Sequence, residues 1–282
     1  MTTPALSAQQ QRLLRSWLPG YEVVADHSWG QTDTVVLRVR AGGTDLVVKA
    51  GGPSNHHPRR EIVARRRWTG PWLRTGAVAP LRHASEEARL LVVDHLRGRL
   101  VQDDPDAYAD PQTYRQAGRL LAALHGQASR TDAAHESAAD ARTLRWLEED
   151  HRISPTTVAR TRAAVATHDH DPVELVPTHG DWHTRNWLVH EGVVRVIDLG
   201  RADWRPAVTD LARLARREWE GRPDLEDAFL DGYGADPRRP SAWRATLLRE
   251  AVGTAVWAYR VGDTAFEEQG HRMLAQALTA YP

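Results

Sequence analysis

Residues 178 to 200 read Thr178-His179-Gly180-Asp181-Trp182-His183-Thr184-Arg185-Asn186-Trp187-Leu188-Val189-His190-Glu191-Gly192-Val193-Val194-Arg195-Val196-Ile197-Asp198-Leu199-Gly200. Two short β-rich runs, Trp187 to His190 and Val193 to Ile197, flank Glu191-Gly192, a hairpin signal. Asn186 stands where the first strand starts and Asp198 where the second ends. An antiparallel hairpin places such positions side by side. The spacing therefore predicts that Asn186 and Asp198 converge beside the loop carrying Asp181. Phosphoryl transfer needs such a set: a carboxylate facing the attacking hydroxyl, and a carboxylate plus an amide oxygen holding Mg²⁺ on nucleotide phosphates.

His179-Gly180-Asp181, Asn186 and Ile197-Asp198, in this order and spacing, resemble the motif of the aminoglycoside phosphotransferase, or kinase-like small-molecule phosphotransferase, family. The resemblance is imperfect, because Thr184-Arg185 stand where the family often has Pro-Gly. It implies Asp181 as the catalytic carboxylate, orienting the acceptor hydroxyl and taking its proton, with Asn186 and Asp198 as the Mg²⁺ ligands. His183 stands where protein kinases place a basic residue near the γ-phosphate, so it reads either as a phosphate donor or as a structural histidine. Arg185 reads either as a shield for transferred charge or as a solvent-facing residue. His179 is expected to brace the loop by hydrogen bonding.

Among 37 basic residues, Lys49 is the single lysine and the rest are arginines. An ammonium is a compact point charge that suits a crowded phosphate site, whereas a guanidinium is a planar fork. Lys49 lies near the end of the β-rich run Thr44 to Ala50, where the kinase fold carries the Lys that binds the α- and β-phosphates. Residues 58 to 68 read as the next helix, with Glu61 its only acid. Glu61 is either the partner of Lys49 or an i,i+4 partner of Arg65 on a solvated face. The turn Trp29 to Asp33, with Gly30, falls where a kinase fold covers the nucleotide phosphates. Val93-Asp94-His95-Leu96-Arg97-Gly98 falls at the family's hinge, where the Asp94 carbonyl and Leu96 amide would bond the adenine edge. The implied cofactors are ATP, with GTP as the alternative, and Mg²⁺.

Bulk properties are compatible with these expectations. A chain of 282 residues with 41% hydrophobic and 26% charged residues forms one large or two modest domains with a sizeable core. The zero formal net charge argues against a general nucleic-acid or membrane-surface binder. The absence of cysteine excludes disulfides, a thiol nucleophile and Cys-ligated zinc. Neither a signal peptide nor a membrane-spanning run is apparent, so a cytoplasmic location is expected.

The strand-rich first part and helix-rich remainder predict an α+β, bilobal, protein-kinase-like fold. Its N-terminal lobe, residues 1–95, is an antiparallel sheet with a helix. Its C-terminal lobe, residues 96–282, is larger and mainly helical. Helical patterns cover 6–18, 114–125, 144–150, 156–167, 206–220, 224–233, 241–260 and 264–280. The Ala-, Asp- and Ser-rich stretch from Ser129 to Asp140 reads as a mobile connection. Asp198 and Asp210 are twelve residues apart. That leaves no room for a long activation segment, disfavouring a peptide acceptor and favouring a small hydroxylated molecule.

A polycationic aminoglycoside would need acids. Glu250, Asp263, Glu267, Glu268 and the run Glu148-Glu149-Asp150 supply them, although each group also reads as a solvated helix face. Trp182 and Trp204 read either as core residues or as rings that stack on a sugar or ammonium. The expected activity is therefore ATP-dependent O-phosphorylation of an aminoglycoside or related antibiotic by a monomer or homodimer. A metabolite kinase of amino-sugar, homoserine or choline type is the alternative. A nucleotide-binding pseudokinase is more remote, because a binding module has no need of Asp181.

Overall fold

The computed structural model describes residues 6–28 and 33–282. The chain divides into two compact units. The first comprises Met1–Gln127, Pro177–Asp203 and Gly221–Ala235, and the second Ala128–Val176, Trp204–Glu220 and Asp236–Pro282.

The first unit opens with α1 (Ala8–Trp17). Ser7 caps it: its hydroxyl accepts from the Gln10 amide at 3.2 Å, and the Gln10 side chain accepts from the Ser7 amide at 2.9 Å. This reciprocal arrangement satisfies two otherwise orphaned donors. Next come β1 (Glu22–Asp26), β2 (Thr34–Ala41), β3 (Thr44–Gly51), α2 (His57–Trp68), α3 (Gly70–Arg74), β4 (Leu81–Ser85) and β5 (Leu90–Asp94). The five strands form one antiparallel sheet in the order β1-β2-β3-β5-β4.

Strand periodicity sorts the side chains of β3 and β5 onto two faces. Leu46, Val48, Ala50, Leu90 and Val92 pack with Leu14 and Leu18 on the α1 side. The alternate residues Val47, Leu91 and Val93 pack on the other side with Ile62 of α2. Lys49 shares the parity of Val47 and pairs in register with Leu91. The same alternation that buries the sheet thus delivers its ammonium to α2.

The unit continues through β6 (Arg99–Leu100), α4 (Pro105–Ala109) and α5 (Pro111–His125). The chain then enters the second unit with β7 (Arg130–Asp132), α6 (His135–Trp146) and α7 (Pro155–Val165), and leaves it along β8 (Val173–Thr178). The stretch Ser129 to Asp140 is thus a strand and the start of a helix, not the expected open connection. Asp132 Oδ1 accepts from the Ala134 amide at 2.8 Å, just before α6 begins. Asp140 is buried within α6 and receives His168 Nδ1 at 2.9 Å, His170 Nε2 at 2.9 Å and Arg249 Nε at 2.8 Å. These partners come from distant parts of the chain, which local composition cannot register.

The remaining elements are β9 (Trp187–His190), β10 (Val193–Val196), β11 (Asp203–Arg205), α8 (Ala212–Ala215), α9 (Pro223–Tyr233), α10 (Pro240–Val261) and α11 (Thr264–Ala277). The helix expected over 206–220 is broken into a 3-10 turn at Ala207–Leu211 and the short α8. In the second unit, α10 and α11 build a core with Leu147, Ile153 and Val165 around Leu248, Val252, Val256 and Leu274. In the first, α5 and α9 meet at paired glycines. A Cβ on Gly118 would lie 2.1 Å from Phe229 O, and one on Gly232 would lie 2.0 Å from Arg115 O. No described helix is long and apolar enough to cross a membrane.

Two stability predictions follow from these contacts. Helix propensity alone would make Gly118→Ala stabilising by about 1 kcal/mol. The clash with the α9 backbone dominates, so urea denaturation is expected to show a loss of about 2 kcal/mol. Asp140→Ala is expected to cost about 2 kcal/mol at neutral pH, because it leaves His168 Nδ1 without its acceptor and takes one of two carboxylates from Arg249, which keeps Glu136. Burial pushes the Asp140 carboxyl up, but hydrogen bonds from His168, Arg249 and His170 outweigh it and hold the group well below its ordinary 3.8. A depressed folded pKa stabilises above the unfolded value. The difference between wild type and variant should therefore persist above about pH 4 and shrink as the pH falls toward the folded value.

Candidate active site

β9 and β10 pair antiparallel, with Trp187 opposite Val196 and His190 opposite Val193. Glu191 and Gly192 both have positive φ, 51° and 71°, as a two-residue turn of this twist requires. Gln116 of α5 pins the tip, donating to Gly192 O at 2.8 Å and accepting from Val194 N at 3.1 Å. Ile197 N donates to Asn186 O at 3.0 Å. Asn186 therefore stands opposite Ile197, one residue from Asp198, as the spacing predicts.

The loop before the hairpin turns at Gly180, whose φ is 77°. His179 Nε2 donates to Ile197 O at 3.0 Å, the expected brace. Asn186 Nδ2 donates to the Asp181 carbonyl at 2.7 Å and to Asp181 Oδ2 at 3.1 Å. His183 is 4% exposed and sets its Nε2 3.4 Å from Asp181 Oδ1. Asp181 is thus flanked on both oxygens while its side chain stays 18% exposed.

Lys49 Nζ lies 2.8 Å from Glu61 Oε2 and 2.5 Å from Asp198 Oδ1. Burial would lower the Lys49 pKa, but Asp198 and Glu61 outweigh it and raise the value, so the ammonium persists. Burial likewise works against the Asp198 carboxylate, yet Lys49 draws its pKa down to about 2. Glu61 is also pulled below its ordinary value, with Lys49 and then Arg65 overcoming desolvation. Glu61 makes both pairs at once. Its Oε1 takes Arg65 Nε at 2.9 Å, while its Oε2 takes Lys49. The Arg65 pair is buried rather than solvated, since Arg65 is 7% exposed, and its Nη1 donates to Ala79 O at 2.9 Å. The i,i+4 spacing marked the pair in the sequence; nothing local marked its burial.

The other candidate residues are distributed as follows. Gly30 lies outside the described residues. Asp94 ends β5 with its carboxylate bound to Arg82 at 2.6 and 2.8 Å, and Leu96 packs against the Ile62 and Leu91 cluster. Any adenine contact there therefore falls to main-chain groups. Arg185 is exposed in a 3-10 turn. Trp182, read as a possible substrate-stacking ring, is corrected to a core residue. It is 1% exposed and packs against Trp72 and Trp187 at ring separations of 6.0 and 5.5 Å. Trp204 belongs to the second unit, where Arg130 lies 4.8 Å over its ring. Of the acids considered for a polycation, Glu250 pairs with Arg213 at 2.8 Å, Asp263 accepts from the Phe266 amide at 3.0 Å, and Glu267 is buried. Glu148, Glu149 and Asp150 are exposed just after α6.

The donor set fits a hard divalent cation. Among the described residues, neither Asn186 Oδ1 nor Asp198 Oδ2 accepts a hydrogen bond. The other side of each group is engaged, by Asp181 and by Lys49 with the Gly200 amide at 3.2 Å. Two oxygens without protein donors suit Mg²⁺, which prefers a few carboxylate or carbonyl ligands beside phosphate and water.

The model of the phosphotransferase enzyme family matches residues 23–243. The chain belongs to that family, whose members transfer phosphoryl groups, and is a small-molecule kinase. An aminoglycoside 3'-phosphotransferase from Escherichia coli is 27% identical over 280 residues, covering 88% of this chain and 96% of that protein. Aminoglycoside phosphotransferase APH(4)-Ia, solved with ADP and hygromycin B, superposes with a TM-score of 0.70 at 13% identity, covering 97% of this chain and 99% of that one. Macrolide 2'-phosphotransferase MphH from Brachybacterium faecium gives 0.57 at 20% identity, covering 95% and 97%. These likenesses establish the α+β, protein-kinase-like fold.

Substituting Lys49 by Arg keeps the charge but replaces a point donor held between two carboxylates with a wider planar fork. Lys49→Arg is expected to weaken ATP binding about tenfold or more, an effect of about 1.4 kcal/mol, measurable by isothermal titration calorimetry.

Proposed function

We propose that the protein is an ATP-dependent O-phosphotransferase that moves the γ-phosphoryl group to a hydroxyl of an aminoglycoside or related antibiotic. The observation that carries this reading is the Asn186 side chain. It binds Asp181 through Nδ2 while its Oδ1 accepts from no donor among the described residues, so one residue joins the catalytic carboxylate to the metal position.

Residues 1–95 act as the nucleotide-binding lobe. Lys49 binds the α- and β-phosphates, and the Asp94 carbonyl with the Leu96 amide binds the adenine edge. Residues 96–282 carry the catalytic loop and the acceptor site. Asp181 orients the acceptor hydroxyl and takes its proton as the new P–O bond forms and the bond to the β-phosphate oxygen breaks, giving a phosphate monoester and ADP. Asn186 and Asp198 hold Mg²⁺, which when bound neutralises charge on the phosphate oxygens. His183, against Asp181 Oδ1, restrains the carboxylate. The relatives named above support this substrate class, and a cytoplasmic site of action, where ATP and Mg²⁺ are available, is part of the proposal.

The test is ADP release with Mg²⁺ and ATP across aminoglycosides, macrolides, amino sugars, choline and homoserine, with mass spectrometry of the acceptor. A gain of one phosphate on an aminoglycoside or another antibiotic is the expected result; phosphorylation of a metabolite alone would move the assignment to the metabolite kinases. Asp181→Ala should lower turnover by about 10³-fold or more while leaving nucleotide affinity within about twofold of wild type. Retention of near-wild-type rates would remove Asp181 from the catalytic role.

A further inference from the structure

α2 carries His57, Glu61 and Arg65 at four-residue intervals, and so on one face. Glu61 serves Lys49 and Arg65 serves Glu61, while His57 has a different target. Its Nδ1 lies 2.9 Å from the carbonyl oxygen of Gly200. A carbonyl can only accept, so Nδ1 carries the proton. Burial pushes the His57 pKa below its ordinary value, which keeps the ring neutral.

Gly200 is two residues beyond Asp198, and its amide donates back to Asp198 Oδ1 at 3.2 Å. Asp198 itself has a φ of 60°. That left-handed conformation is unfavourable for a residue with a side chain and persists only where surrounding contacts enforce it. The space is tight: a Cβ on Gly200 would lie 3.1 Å from Asp198 Oδ1 and 3.3 Å from His57 Cβ.

The helix end that carries His57 is anchored in turn. Asn55, 7% exposed, accepts from the His57 amide at 2.9 Å. Its Nδ2 donates to Asp33 Oδ1 at 2.7 Å and to Thr34 Oγ1 at 2.8 Å. A polar strut thus runs from the start of β2 through Asn55 and His57 to the main chain beside Asp198.

We propose that His57 is a positioning residue of the nucleotide site, holding the Asp198 segment in its metal-binding conformation by donating Nδ1–H to the Gly200 carbonyl. The inference rests on the phosphotransferase reading and adds to it a residue that acts through the main chain at Gly200.

The test measures binding of a non-hydrolysable ATP analogue by calorimetry, in excess Mg²⁺ and in EDTA. Wild type is expected to bind more tightly with Mg²⁺. His57→Phe keeps an aromatic ring but has no donor. It should lose about tenfold in affinity with Mg²⁺ and change little in EDTA. His57→Asn, whose Nδ2 can reach the same carbonyl, should recover most of the loss, and His57→Leu serves as a second donorless variant should the Phe protein not fold. A donorless variant that keeps the full Mg²⁺-dependent gain would overturn the inference. So would an Asn variant as weak as the donorless ones, or a loss of equal size in EDTA. Absence of any Mg²⁺-dependent gain in wild type would instead overturn the phosphotransferase reading and the inference with it.

Discussion

The ammonium of Lys49, shared by Glu61 and Asp198, is the constraint on which the first unit depends. A desolvated charge is tolerated only when it is paired, and the three groups of this cluster come from three parts of the chain. The strand supplies the lysine on the face opposite α1, the helix supplies Glu61, and the far end of the β9–β10 hairpin supplies Asp198, 149 residues away. Each partner is itself held. Glu61 is clamped by Arg65, and Asp198 by the Gly200 amide. The apolar clusters on either side of the sheet determine which way Lys49 points, so hydrophobic packing and site electrostatics have one geometric origin.

A second consequence concerns the amide of Asn186. The oxygens of Asp181 that face it can only accept hydrogen bonds, so the amide must present Nδ2 to them. Its Oδ1 is then forced away from Asp181. The Asp181 carboxylate therefore dictates which atom of Asn186 is left facing away from it. An Asp at this position would set two carboxylates against each other, which explains why an amide and not an acid suits the place.

The parts legible in the sequence are those that depend on short-range periodicity. The Trp187–His190 and Val193–Val196 strands with Glu191-Gly192 between them, the run ending near Lys49, and the helix bearing Glu61 all announce themselves within a few residues. The α6 segment was obscured because its composition resembles a linker, and its buried Asp140 is satisfied by histidines and an arginine from elsewhere. Arg65 was legible as a pair but not as buried, since burial comes from the neighbouring strand and Ala79. Trp182 was ambiguous for the same reason: a tryptophan beside Asp181 looks the same on paper whether its faces meet a sugar or Trp72 and Trp187. Residues 203–205 form a strand too short to carry a pattern of their own.

The glycine-paired crossing of α5 and α9 bears on how the protein is made. Arg115 and Asp231, which close the same crossing at 2.6 Å, are 116 residues apart. At a translation rate of about 5–20 residues per second, α5 leaves the ribosome roughly 6–23 s before α9. The first unit cannot complete its core in that interval, because the segment that fills the groove at Gly118 has not been synthesised. The second unit's early helices emerge meanwhile. Nascent-chain folding must therefore proceed with an open helical groove, a period in which the growing polypeptide is a natural client for a holding chaperone.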